Sequence, residues 1–247
     1  MAPKWRTGGV LSVDIAHRRY ADNGIAFLDG GSDVVQLIKA DDLRVKDPPT
    51  PEGFAAALNT FCDREGVSVL LLDGPQGWRE PKSQIEHMRL CERVLNTPGK
   101  TGVFGTVKPS TYLPYIKFSI ELFHQLRIKH DWELLRSNWN KRPWERWLVE
   151  SFPTAAWKTL GLKNLPAKSK CTSDQLIAWR NDLSTLTGLK LPDVLTHDEL
   201  QAVVVLPLGR AMVKGDESQV ILSGVDPYLT KEGVVLEGLI ANPRMTD

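Results

Sequence analysis

Cysteine is scarce in this chain of 247 residues: Cys62, Cys91 and Cys171 are an odd set, widely spaced, with no Cys-x-x-Cys pair. A disulfide framework or a structural zinc site is not expected from such spacing, and a reducing compartment fits better. Long hydrophobic runs are also missing. No apolar stretch approaches the ~20 residues of a membrane span, and Met1 to Arg6 lead into no apolar signal core. A cytoplasmic protein with no membrane contact is expected. Charge of one sign is absent too, since 31 Lys and Arg face 30 Asp and Glu for a formal net charge of +1. A uniformly basic coat is excluded, so any nucleic-acid contact must come from a local groove. Internal repeats, low-complexity tracts and an interdomain linker are not found. Apolar content of 42% and charged content of 25% are ordinary globular values. One α/β domain over 1–247 accommodates them.

Two short apolar runs each close on an aspartate, Val10 to Asp14 and Val67 to Asp73. The second continues into Gly74-Pro75, which turns the chain just past the carboxylate. Such runs read as buried strands of an open sheet, whose ligands gather at the carboxyl ends of the strands. Asp14 and Asp73 are therefore candidates for one shared site. The competing reading is that each only accepts from backbone N–H groups in its turn.

Strands over 8–15, 25–28 and 34–38 follow too closely for anything but an antiparallel meander. A helix over 52–65, with Phe54, Ala57, Leu58 and Phe61 on one stripe, returns the chain to the strand ending at Asp73. The spacing predicts a mixed sheet: an antiparallel three-strand meander plus parallel strands, flanked by helices. A helical insertion is expected around 80–145, with helices over 83–95 and 111–128 and a loop over 99–110. The stretch 130–147 holds Trp132, Trp139, Trp144 and Trp147 among Arg136, Lys141, Arg142 and Arg146. It offers a basic, aromatic surface able to stack single-stranded bases, although tryptophans at helical spacing are more often core. A strand over 146–152, helices from Thr154 and over 173–187, a last major helix opened by Thr196 and a closing hairpin complete the reading.

Two further acids fall into line: Glu150 near the end of the strand at 146–152, and Asp198 beside Glu199 in the first turn of the late helix. This order resembles the ribonuclease H-like superfamily. More closely, the chain is similar to the domain-of-unknown-function 429 family, described as predicted nucleases of that fold. The carriers are Val13-Asp14-Ile15-Ala16, Leu72-Asp73-Gly74-Pro75, Arg89-Leu90-Cys91-Glu92, Glu150-Ser151-Phe152-Pro153, Lys168-Ser169-Lys170, His197 to Ala202, and Glu237 to Pro243. They span nearly the whole chain in order. In the late helix such families tend to carry two aspartates three apart; here Asp198 is followed by Gln201, which brings no charge.

The resemblance implies a metal-dependent nuclease with Mg2+ or Mn2+ on a carboxylate cluster. Asp14, Asp73, Glu150 and Asp198 would be the catalytic set, with Asp14, Asp73, Asp198 and Glu199 as metal ligands. Two such ions, about 3.5–4 Å apart, activate a water and stabilise the leaving oxygen. Arg89, Lys168 and Lys170 would position phosphate, with Arg142 and Trp144 on the nucleic-acid surface; the partner would be DNA or RNA. His17 and His197 are weaker candidates as proton shuttles, and Cys91 lacks an identifiable histidine partner. The alternative is a non-catalytic nucleic-acid-binding or adaptor protein with a degenerate site, as Gln201 hints. Nucleotide binding of the actin and sugar-kinase type ranks last. The segment between Asp14 and Asn23 carries His17-Arg18-Arg19 where those proteins have a glycine-rich hairpin.

Overall fold

The computed structural model describes residues 8–142 and 145–245. β1 (Gly9–Asp14), β2 (Gly24–Leu28) and β3 (Val35–Leu37) form the antiparallel meander. Asn23 fixes the return from β1 to β2: its Oδ1 accepts from Ala16 N–H at 2.8 Å and its Nδ2 donates to the Tyr20 carbonyl at 2.9 Å. After the four-residue α1 (Ala40–Leu43) comes α2 (Pro51–Glu65). Thr50 caps α2 by accepting from Gly53 N–H at 3.1 Å, Pro51 opens it, and Gly66 at φ 70° ends it. These are the start and stop signals of a helix. Its buried stripe is Phe54, Ala55, Leu58, Phe61 and Cys62, so Ala55 takes the place expected of Ala57.

β4 (Val67–Asp73) returns parallel to β1, and β8 (Trp147–Ser151) runs parallel to β4. β10 (Val235–Pro243) continues parallel to β8, and β9 (Val220–Leu229) closes the edge antiparallel to β10. The order is β3-β2-β1-β4-β8-β10-β9, with the short β7 (Glu133–Leu134) also on β8. It is a mixed parallel and antiparallel sheet flanked by helices.

Successive strand residues face opposite sides, and both sides are buried. Leu11, Val13, Leu70, Leu72 and Leu148 pack with α2 and α4 (Leu113–Lys129) through Phe54, Leu58, Leu122 and Phe123. Val10, Val69, Leu71, Val149 and Leu239 pack on the other side. Their partners are α5 (Pro153–Thr159), α7 (His197–Val204) and α8 (Leu206–Lys214), through Trp157, Leu200, Val203 and Leu208. Each such buried side chain contributes roughly 1.5–3 kcal/mol of transfer free energy. α6 (Ser173–Thr187) lies over the second layer.

Three expectations change. The helix over 83–95 shortens to α3 (Leu90–Leu95), because His87 takes a left-handed φ of 63° and Arg79 Nη2 holds the bend by donating to the Ser83 carbonyl at 2.6 Å. The loop at 99–110 contains a ribbon, β5 (Lys100–Thr101) with β6 (Val107–Lys108). The late helix divides into α7 and α8 at Val205, ahead of Pro207, which has no N–H to continue the ladder. Among the described residues, no helix is long and apolar enough to cross a membrane.

Candidate functional site

The parallel registers place Asp14 opposite Asp73, and Asp73 opposite Ser151. Adjacent strands lie about 4.8 Å apart, so three polar side chains form a row at the carboxyl ends of β1, β4 and β8. All three fall on the side of the sheet that carries α7. Gly74 follows the row. A Cβ there would sit 2.4 Å from Ser119 Oγ and 3.0 Å from Tyr115 Oη; glycine lets Tyr115 Oη donate to the Asp73 carbonyl at 2.6 Å.

Burial pushes both carboxyls upward, and their mutual proximity adds to it for Asp14, which is raised well above the usual range. Asp73 is raised to about 7 by burial, against the lowering effect of its hydrogen bond with Asp14. Neighbouring carboxyls resist carrying two negative charges unless a proton or a cation compensates.

Asp198 joins from the first turn of α7. Thr196 caps that helix by accepting from Glu199 N–H at 3.3 Å, while the Glu199 carboxylate accepts from Thr196 N–H at 2.7 Å. The helix start is pressed onto β2: a Cβ on Gly24 would lie 2.0 Å from the Asp198 carbonyl oxygen. This contact brings Asp198 close enough to raise the Asp14 carboxyl by its charge. Asp198 itself is paired with Lys168, and His197 Nδ1 lies 3.3 Å from its Oδ1. Burial raises its carboxyl, but the bonds with His197 and Lys168 outweigh that and hold it below the usual range.

The other expected ligands are occupied elsewhere. Glu150 immediately precedes Ser151 in the strand and so faces the opposite side of the sheet. Its Oε2 accepts from Arg89 Nη1 at 2.8 Å and its Oε1 from Arg89 Nη2 at 2.6 Å, and Gln76 N–H adds a bond at 3.0 Å. Arg89 Nε also donates to Glu92 at 3.1 Å. Each guanidinium nitrogen is thus committed to a carboxylate, and Arg89, 1% exposed, is a buried brace and not a free phosphate clamp. Glu199 pairs with Lys39. Gln201 Oε1 accepts from Trp157 Nε1 at 2.8 Å, inside the layer of α5 and α7. Lys170 is exposed beside Lys168. His17 lines the cavity described below, and Cys91 is buried at the start of α3 with its thiol pushed up by burial.

The aromatic, basic stretch lies away from the acids. Trp147 opens β8 whereas Ser151 ends it, a rise of roughly 13 Å. Arg142 bonds Glu145 at 2.6 Å and its guanidinium carbon sits 5.7 Å from the Trp147 ring centre. Trp132, Trp139 and Trp147 are buried core; Trp144 lies outside the described residues. No stacking platform is formed by the three described tryptophans.

A cavity of about 420 Å³ opens at the strand ends, lined by Asp14, Asp73 and Ser151 and walled by Tyr112, Tyr115 and Phe152. Sequence reading missed Ser151, because both sides of β8 are buried and no polar alternation marks which residue joins the row. Among the described residues, no three His, Cys, Asp or Glu side chains converge as a ready metal-ligand set. Asp14 and Asp73 could hold a single hard cation, since both offer carboxylate oxygens at one edge. They do not supply the two-ion shell expected of four carboxylates. Searches with family models, among curated proteins and among solved structures found no match to this chain.

Proposed function

We propose that this chain is a ribonuclease H-like hydrolase of the domain-of-unknown-function 429 type, acting on phosphodiester bonds of nucleic acid with Mg2+ or Mn2+. The observation that carries the proposal is the in-register pair Asp14–Asp73 at the mouth of a cavity, both carboxyls pushed upward by their surroundings. The meander followed by parallel strands supports the fold side of the reading. Asp14 and Asp73 would hold the cation. When bound, it supplies charge neutralisation and an activated water.

The protein's own groups do the rest. Tyr115 pins the Asp73 backbone, the Gly24 contact seats Asp198 beside Asp14, and Lys168 brings a positive charge to the phosphate side of the site. Asp14→Asn or Asp73→Asn is expected to cut metal-dependent cleavage by roughly a thousandfold or more, as losses at concerted sites do, while the fold is retained. Wild-type protein that cleaves no DNA, RNA, hybrid or branched substrate with either metal refutes the proposal.

A second reading rests on Lys168, which already neutralises Asp198, and on Gln201, which is turned to Trp157. The same fold would then bind nucleic acid without cutting it. Salt-sensitive binding that Asp14→Asn leaves unchanged, with no thermal shift on adding either metal, would favour that reading.

A further inference from the structure

The cavity is larger than a cation site needs and differently lined. Its volume of about 420 Å³ lies in the range of small-molecule pockets and admits one nucleoside, not a duplex. Tyr112, Tyr115 and Phe152 give it flat aromatic walls, with Ile116 and Ile240 between them. Two of its lining residues carry buried hydroxyls with no hydrogen-bond partner among the described residues, Thr101 Oγ1 and Ser151 Oγ. Thr101 is 0% exposed and Ser151 2% exposed. A buried hydroxyl without a partner is costly, and a hydroxyl both donates and accepts, which suits the mixed edge of a base or the hydroxyls of a sugar.

Charge decides which end of a nucleotide enters. The lining holds Asp14, Asp73, Glu92 and Glu150 against Arg89, whose guanidinium nitrogens already serve Glu92 and Glu150. An anionic phosphate has no available cation deep inside, whereas Lys168 lies outside the lining, beside Asp198. The neutral part of the ligand goes in and the phosphate stays at the mouth.

We infer that this cavity is a nucleoside subsite, receiving one unpaired nucleoside unit base-first with its phosphate left outside the mouth, towards Lys168. This rests on the hydrolase reading and narrows it: the substrate presents an unstacked nucleotide, at a single-stranded end or as a free nucleotide, and not an intact duplex. Removing a base from a stack costs a few kcal/mol, which favours unpaired units.

Calorimetric titration of the full chain tests it, using nucleosides, nucleoside 5′-monophosphates and inorganic phosphate. None has a phosphodiester bond, so none is consumed by the proposed reaction. One saturable site is expected for the nucleoside and the monophosphate, with inorganic phosphate at least ~10-fold weaker. Thr101→Val should weaken binding about fivefold, the loss of one hydrogen bond, with Thr101→Ser restoring it and circular dichroism confirming the fold of both. Tyr112→Ala should weaken it about tenfold through lost stacking. Nucleosides that do not bind, phosphate that binds equally well, or a Thr101→Val affinity equal to wild type would each overturn the subsite. A single-stranded oligonucleotide that outcompetes the monophosphate assigns the unit to a chain end; the reverse assigns it to a free nucleotide, and either supports the subsite. Cleavage assays on the same preparation separate the two readings. Metal-dependent cutting without nucleoside binding overturns the subsite alone, and nucleoside binding without cutting overturns the hydrolase reading alone.

Discussion

Asp73 is held near a pKa of about 7 by burial, while an unfolded chain leaves it near its ordinary value of 3.8. Between those limits the folded state binds more protons than the unfolded one, so stability must fall as pH rises from about 4 through 7. Asp14, raised in the same direction, adds to the slope. In metal-free buffer, Asp73→Asn should therefore melt higher than wild type at pH 8, with the gap narrowing towards pH 5. Several degrees are expected, each ~1 kcal/mol being worth about 2–4 °C in a domain this size. A gap that widens towards low pH would contradict the raised Asp73 carboxyl. Arg89 gives the opposite kind of result. Arg89→Met leaves Glu92 and Glu150 as buried, unpaired charges and should cost roughly 3–5 kcal/mol in denaturant titration. If Arg89 instead served phosphate, stability would barely move and only substrate affinity would fall.

At the scale of elements, the seat of Asp198 is the most exposed to test. Thr196→Ala removes the cap of α7 and is expected to cost ~1 kcal/mol in chemical denaturation. Gly24→Ala should do more, roughly 1–3 kcal/mol by overpacking. The methyl meets the backbone of Asp198, which cannot rotate aside, so α7 must shift from Asp14 and cleavage should drop as well. The strands behind these contacts were legible in sequence, since Val67 to Leu72 is a β-branched and aliphatic run interrupted only by Ser68, with Gly74-Pro75 stopping it just past Asp73. The choice between Glu150 and Ser151 was not. Trp147, Leu148 and Val149 are apolar on both sides of the sheet, so the strand gives no cue to which side follows, and the charged residue drew attention from the hydroxyl beside it. Nor was the left-handed turn at His87 that shortens α3, for positive φ is uncommon in any residue but glycine, histidine included.

For the whole molecule, the row Asp14–Asp73–Ser151 stands on β1, β4 and β8, each paired on both edges and packed on both faces. Part of the facing wall comes from shorter pieces, the six-residue α3 and the two-residue strand β5, which pairs with β6 in a ribbon. Amide hydrogens in the central strands should exchange only when the entire chain unfolds, whereas those of the ribbon should exchange through local openings orders of magnitude faster. Native-state hydrogen exchange read by mass spectrometry checks this directly. A cavity of this build is expected to behave as an anvil with one hinged edge: the acids and the Arg89 brace hold their spacing, while the ribbon of β5 and β6 opens and re-forms beside them.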